Sequence, residues 1–201
     1  MFDKRAFFDL VRKGILGPTL DGDEVSGCER IFDAMAGTPL AWCAYALATA
    51  YHETAHTLQP VKEYGGPRYY FRMYDIEGER PAVAKELGNT VPGDGVTFAG
   101  RGYVQLTGRT NYARAAEKTG YPLVGNPDLA MRPDIAAIIM REGMEAGWFT
   151  LKKFAHFLPA TGPATHRQFY DARRIINRLD KASLIADYAI KFQAALQGAG
   201  W

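Results

Sequence analysis

The chain has 201 residues, 47% of them hydrophobic, which is enough to bury the core of a single domain. Its formal net charge of +2 is too small to indicate binding to nucleic acid, and we expect none. The two cysteines, Cys28 and Cys43, exclude a disulfide-rich scaffold, and we expect them to be free buried thiols.

Apolar residues at helical spacing predict that most of the chain is helical. In chain order the predicted helices cover residues 3–16, 24–35, 40–51, 81–87, 111–119, 134–149, 169–177 and 182–196. The third begins with Thr38 as the expected N-cap residue and Pro39 as the first helical residue. Its uncharged run of about twelve residues is too short to span a bilayer, which predicts a buried core helix and no membrane insertion.

Two glutamates ten residues apart are candidate catalytic residues: Glu53 at the end of the third helix, and Glu63 on the next extended segment. Glycoside hydrolysis needs one carboxylic acid to protonate the leaving oxygen and a second carboxylate to activate water or attack the sugar. At a helix C-terminus the macrodipole disfavours negative charge, which with partial burial favours a protonated Glu53. Glu63 has a more polar setting and is expected to be ionised. Ordinary surface charges are the alternative, and Asp75 and Glu77 are further candidates for the second carboxylate.

The glycine-rich segment 92–112 predicts a turn, a short β-hairpin and the start of a helix. Within it Tyr103, Gln105 and Thr107 alternate with Val104 and Leu106, so one strand face should be polar and the other apolar. Such a polar face suits hydrogen bonds to sugar hydroxyl and N-acetyl groups. A hairpin with a solvated outer face is the alternative.

These motifs together resemble family 19 glycoside hydrolases, above all the short bacterial and bacteriophage members that degrade peptidoglycan. His-Glu-Thr precedes Gly-Arg-Gly-x-x-Gln-Leu-Thr-x-x-x-Asn-Tyr, and Arg-Ile-Ile-Asn follows near the C-terminus. The resemblance implies that Glu53 is the general acid, that Glu63 is the general base and that Thr107 holds the attacking water. The substrate-binding residues that it implies are His52, Gln105, Asn111, Tyr112 and Asn177. Relatives usually continue Ile-Ile-Asn with glycine, where this chain has Arg178.

The same resemblance implies a mainly α-helical (α+β), lysozyme-like catalytic domain over residues 1–201, with a small β-hairpin lobe beside the cleft. The implied reaction is inverting acid/base cleavage of β-1,4 bonds between N-acetylated sugars, in peptidoglycan (endolysin or muramidase type) or in chitin. An inverting enzyme should have its two carboxyls roughly 6.5–9.5 Å apart. We expect a monomer without cofactor, metal or separate wall-binding module, and the sequence does not separate the two polymers.

A zinc metallopeptidase is the rival interpretation, because residues 52–56 read His-Glu-Thr-Ala-His. On a helix, His52 and His56 would share one face, and Glu53 would activate a metal-bound water. Pro60 leaves little helix for this arrangement, and a zinc site does not account for the glycine-rich segment. A catalytically inactive sugar-binding domain is a third interpretation, which the presence of both glutamates and Thr107 disfavours.

The first five residues lack the apolar core and cleavage site of a signal peptide. We therefore expect synthesis in the cytoplasm, with access to the cell wall through a membrane pore or a delivery system.

Overall fold

The computed structural model describes residues 2–201. Their contacts divide the chain into two compact units, unit 1 (Met1–Gln59 and Met140–Trp201) and unit 2 (Pro60–Ile139). The elements in chain order are α1 (Lys4–Gly14), α2 (Gly22–Met35), α3 (Leu40–Glu53), β1 (Val61–Lys62), α4 (Gly66–Tyr74), α5 (Pro81–Glu86), α6 (Asp94–Thr97), β2 (Arg101–Gly102), α7 (Arg109–Thr119), α8 (Pro133–Ala146), α9 (His166–Ala172) and α10 (Ala182–Gly198). Short 3₁₀ helices cover Pro127–Met131, Phe154–His156 and Arg173–Ile175. The described residues form a mainly helical fold with a small β element, as predicted.

Unit 1 is built around α3, which packs against α2 and α10. Every residue from Cys43 to Tyr51 is buried, so the predicted core helix is confirmed. The helix continues through Glu53, which makes that glutamate its last residue. The predicted cap was wrong: Pro39 is the N-cap residue, and the Thr38 hydroxyl donates to the Met35 carbonyl at 2.7 Å. The Thr38 hydroxyl therefore caps the C-terminal end of α2 and not the start of α3.

Unit 2 contains a two-stranded antiparallel sheet in which Val61 pairs with Gly102 and Lys62 with Arg101. The predicted alternation along 103–107 was wrong, since no strand forms there and Tyr103 is fully buried. Arg101 and Leu106 instead exchange backbone hydrogen bonds of 3.2 and 2.8 Å, which closes a tight turn between them. A turn this short does not keep the two-residue period of a strand.

Helix α4 was not among the predicted helices. It begins after Gly65, whose φ of 122° is accessible to glycine, and it has a proline in its first turn. A side chain at Gly65 would also collide with Tyr69, because an added Cβ would lie 2.5 Å from the Tyr69 ring. The helix thus places its aromatic residues at fixed positions after Glu63.

Both cysteines are free and buried, as expected, and burial raises the pKa of the Cys28 and Cys43 thiols. Within residues 2–201, no helix combines the length and apolar character that crossing a membrane requires.

Candidate active site

Glu53 owes its position to the threonine that follows it. The Thr54 hydroxyl donates to the Ala50 carbonyl at 2.8 Å and accepts from the Leu58 amide at 2.9 Å. Thr54 is buried, so both bonds are shielded from water. The threonine of the His-Glu-Thr motif therefore ends α3 and fixes the turn that leaves Glu53 at the helix terminus.

The turn after Glu53 is strained. Ala55, His56 and Leu58 have φ values of 51°, 75° and 54°, a left-handed region that residues other than glycine seldom adopt. Gly27 of α2 makes room for it, because an added Cβ would lie 2.0 Å from the Leu58 carbonyl oxygen. Such strain persists where surrounding contacts enforce it, and it is frequent at functional sites.

A buried arginine pairs with Glu53. Arg173 Nη1 lies 2.6 Å from Glu53 Oε1, and the two side chains are 2% and 22% exposed. Arg173 Nε also donates to the Asp180 carbonyl at 3.0 Å, which fixes the guanidinium. The contact is a charge-assisted hydrogen bond, and it fixes the orientation of the Glu53 side chain.

Sequence reasoning missed Arg173 because it lies 120 residues from Glu53. The run Arg173-Arg174 before Ile-Ile-Asn was the available signal, and it does not show which arginine is buried. In the structure Arg173 is buried, whereas Arg174 is exposed.

Two of the predicted substrate-binding residues also lie in unit 1. His52 is half-buried, and burial is the largest influence that lowers the pKa of its imidazole, so the ring is neutral near pH 7. Asn177 is exposed, and its Oδ1 accepts from the Arg178 amide at 2.8 Å. Asn177 lines an open pocket of about 730 Å³.

The geometry of residues 52–56 does not suit the zinc motif. Helix α3 ends at Glu53, and His56 follows with a left-handed backbone, so the two histidines do not lie on successive turns of one helix. The His56 ring stacks on Tyr51 at 4.3 Å, and its Nε2 lies 3.3 Å from the Tyr188 hydroxyl. Within residues 2–201, no three His, Cys, Asp or Glu side chains are grouped as a metal site would require.

In unit 2, Glu63 is held through its backbone and its side chain. Its amide donates to the Gly100 carbonyl at 2.9 Å, and its Oε2 accepts from the Gly100 amide at 3.3 Å. The Tyr74 hydroxyl donates to Glu63 Oε1 at 2.6 Å, and the Tyr70 hydroxyl donates to the Glu63 carbonyl. Burial and the hydrogen bond to Glu63 raise the pKa of Tyr74, so that phenol remains a donor. Tyr70 and Tyr74 therefore position Glu63.

Three predicted site residues meet at Gly100. An added Cβ there would lie 2.7 Å from Gln105 Oε1, 3.1 Å from Glu63 Oε2 and 3.2 Å from Thr107 Oγ1. The Thr107 hydroxyl donates its proton to the Gln105 carbonyl at 2.8 Å, so its oxygen can accept a further hydrogen bond. Glycine at 100 thus lets these three side chains approach the backbone closely, because any larger residue there would collide with them.

Asn111 and Tyr112 have different surroundings from the ones we predicted. Asn111 Nδ2 donates to the Thr107 carbonyl at 2.7 Å and so holds the backbone of a candidate catalytic residue. Tyr112 is fully buried, and its hydroxyl donates to the Ala99 carbonyl at 3.0 Å. A buried side chain with this bond supports the backbone next to Gly100.

Asp75 and Glu77, the further candidates for the second carboxylate, differ in exposure. Asp75 is fully buried, and its Oδ2 accepts from the amides of Gly93 and Gly95 at 2.9 and 3.0 Å. It therefore anchors the start of α6 and is not available as a base. Glu77 is exposed and is followed by Gly78 in the turn after α4.

The fold matches that of solved chitinases. Chitinase C from Streptomyces griseus HUT6037 aligns with 99% of this chain and 76% of its own, at a TM-score of 0.58 and 19% identity. A chitinase C mutant with glutamate replaced by glutamine aligns at a TM-score of 0.55 and 18% identity, over 99% of this chain and 92% of its own. A bacterial family 19 chitinase, described as differing from plant enzymes, aligns at a TM-score of 0.53 and 19% identity, over 99% of this chain and 95% of its own.

The chain therefore has the fold of family 19 chitinases, as its sequence motifs implied. No model of a known protein family matches it, and no curated protein sequence does.

Proposed function

We propose that this protein is a glycoside hydrolase that cleaves β-1,4 bonds between N-acetylated sugars by an inverting acid/base mechanism. The fold shared with family 19 chitinases supports a polysaccharide substrate. The observation that carries the proposal is that Glu63 Oε2 and Thr107 Oγ1 both lie close to Gly100.

In this proposal Glu63 is the general base and Thr107 positions the nucleophilic water. The nucleophilic water donates one proton to Glu63 Oε2 and the other to Thr107 Oγ1. The hydroxyl of Thr107 can accept because its own proton is already given to the Gln105 carbonyl. The water then presents a lone pair to the anomeric carbon, and Glu63 removes its proton as the new bond forms.

Glu53 is the general acid in the same proposal. It protonates the glycosidic oxygen as the bond to the leaving sugar breaks, and it becomes a carboxylate. Arg173 stabilises the carboxylate that this step produces, because its guanidinium is buried and already directed at Oε1. Arg173 is thus a positioning residue that acts through Glu53.

We infer that the substrate is peptidoglycan, with the protein acting as an endolysin on the wall after a pore or delivery system releases it. The support is the sequence resemblance to short bacterial and bacteriophage members of family 19. The same resemblance supports a monomer without a cofactor.

Mass spectrometry of products from purified peptidoglycan and from chitin oligomers tests this function. Fragments ending in reducing muramic acid are expected, which indicates muramidase action. Reducing glucosamine ends from the same polymer would show that the protein is a glucosaminidase. Chitobiose from chitin, with no product from peptidoglycan, would show that the substrate is chitin. Cleavage of peptide bonds with intact glycan would refute a glycosidase.

A further inference from the structure

The pocket that contains Asn177 has a marked excess of positive charge. Lys152, Arg174 and Arg178 line it, and all three are exposed. Within residues 2–201, Lys152 and Arg178 form no ion pair. Arg174 Nη2 lies 3.8 Å from Asp171, whose carboxylate is already bound by Arg167 Nε at 2.7 Å. These cations are therefore available to a ligand.

The wall of this pocket is fixed by hydrogen bonds. The Thr150 hydroxyl donates to the carbonyls of Arg174 and Ile175 at 2.6 and 3.0 Å, which holds the two pocket-lining segments together. The Arg178 amide donates to Asn177 Oδ1 at 2.8 Å, which orients that side chain. Within the described chain, Asn177 Nδ2 donates to no other atom, so it can bind a ligand oxygen.

The pocket has the size and mixed chemistry of a ligand site. Its volume of about 730 Å³ falls in the range of roughly 300–1,000 Å³ that small-molecule sites occupy. Ile176 and Leu179 add apolar surface beside the cations. A ligand that combines an acidic group with small apolar groups therefore complements it better than an unsubstituted neutral sugar does.

We propose that this pocket binds the acidic peptide substituent of a glycan, with Lys152, Arg174 and Arg178 contacting its carboxylates and Asn177 contacting the sugar that carries it. The inference rests on the proposed function, since Asn177 is the residue that connects the pocket to the glycan. Arg178, an exposed cation next to Asn177, becomes a specificity-determining residue that favours peptidoglycan over chitin.

Calorimetric binding to two soluble oligosaccharides with the same number of sugars tests the proposal, one with acidic stem peptides and one a chitin oligomer. The wild-type protein should bind the acidic ligand more tightly. In the Lys152→Gln/Arg174→Gln/Arg178→Gln variant this preference should fall about tenfold, because three exposed charge contacts are lost. Raising the salt concentration should reduce the wild-type preference in the same direction.

The matched control is Lys13→Gln/Arg30→Gln/Lys191→Gln, which removes the same charge from exposed positions outside the pocket. It should keep the wild-type preference. Equal loss in the control, or no preference in the wild-type protein, would overturn the proposal. Turnover of both ligands is measured separately. A binding preference without cleavage would support the pocket and count against the proposed hydrolase. Cleavage without a binding preference would support the hydrolase and count against the pocket.

Discussion

Replacing Glu53 by glutamine should change both activity and stability, and the structure gives the reason for each. Glutamine keeps the shape of the side chain but cannot donate a proton to the leaving oxygen. Turnover should therefore fall by roughly 10²–10⁴-fold. Stability should fall because the variant leaves Arg173, whose side chain is 2% exposed, without its carboxylate.

The expected loss of stability lies between two limits. Removing one partner of a fully buried ion pair costs about 3–5 kcal/mol. The cost here should be smaller, since Glu53 is 22% exposed and the glutamine oxygen can still accept from Arg173. Replacing this ion pair by a hydrogen bond from the charged guanidinium to a neutral amide oxygen should cost about 1–3 kcal/mol. For a chain of this length that corresponds to a melting temperature lower by about 2–12 °C.

Thermal and urea unfolding, together with kcat and KM on a defined oligosaccharide, measure both effects. Adding Arg173→Met to Glu53→Gln should restore part of the lost stability, because the unpaired buried charge is removed, but it should not restore turnover. An unchanged melting temperature would refute the structural role of the pair. Near-normal turnover in Glu53→Gln would show that Glu53 is not the acid.

Three further predictions concern Thr107, His52 and metal removal. Thr107→Val should lower kcat more than it raises KM, since it removes an acceptor for water and not a sugar contact, and Thr107→Ser should recover most of kcat; an effect on KM alone would contradict this role. The pKa of His52 is lower in the folded chain than its ordinary value, so the unfolded chain binds more protons and stability should fall as pH drops below about 6.5. In urea denaturation at a series of pH values, His52→Gln should weaken the pH dependence of the free energy of unfolding. An unchanged pH dependence would refute this role of His52. Chelator treatment and His56→Asn should each leave turnover near the wild-type value, whereas stoichiometric zinc that is lost together with activity would establish the metallopeptidase.

The sequence predicted the parts of the fold that depend on local pattern. Helix α3 formed where an uncharged apolar run has helical spacing, and its burial follows from that composition. The strand alternation along 103–107 failed because the hydrogen bonds between Arg101 and Leu106 close a tight turn. A two-residue period over so few residues does not distinguish a strand from such a turn.

For the candidate site too, the sequence indicated what depends on local motifs and not what depends on distant contacts. The family resemblance made Glu53, Glu63 and Thr107 the candidate catalytic residues, since their neighbours in the chain carry that resemblance. It could not identify Arg173, because its contact with Glu53 joins residues 120 positions apart. Nor could it show that Gly100 is needed for space beside Glu63, or that Tyr112 is buried, since both depend on the packing of distant segments.

The stereochemistry of hydrolysis tests the central claim, that Glu63 acts as the general base and Glu53 as the general acid. Proton NMR during the first turnovers of a β-1,4-linked substrate should show the α anomer as the first-formed product. That result is what direct attack by a water held at Glu63 and Thr107 requires. A β anomer as the first product would mean retention of configuration and would contradict the role of Glu63 as general base.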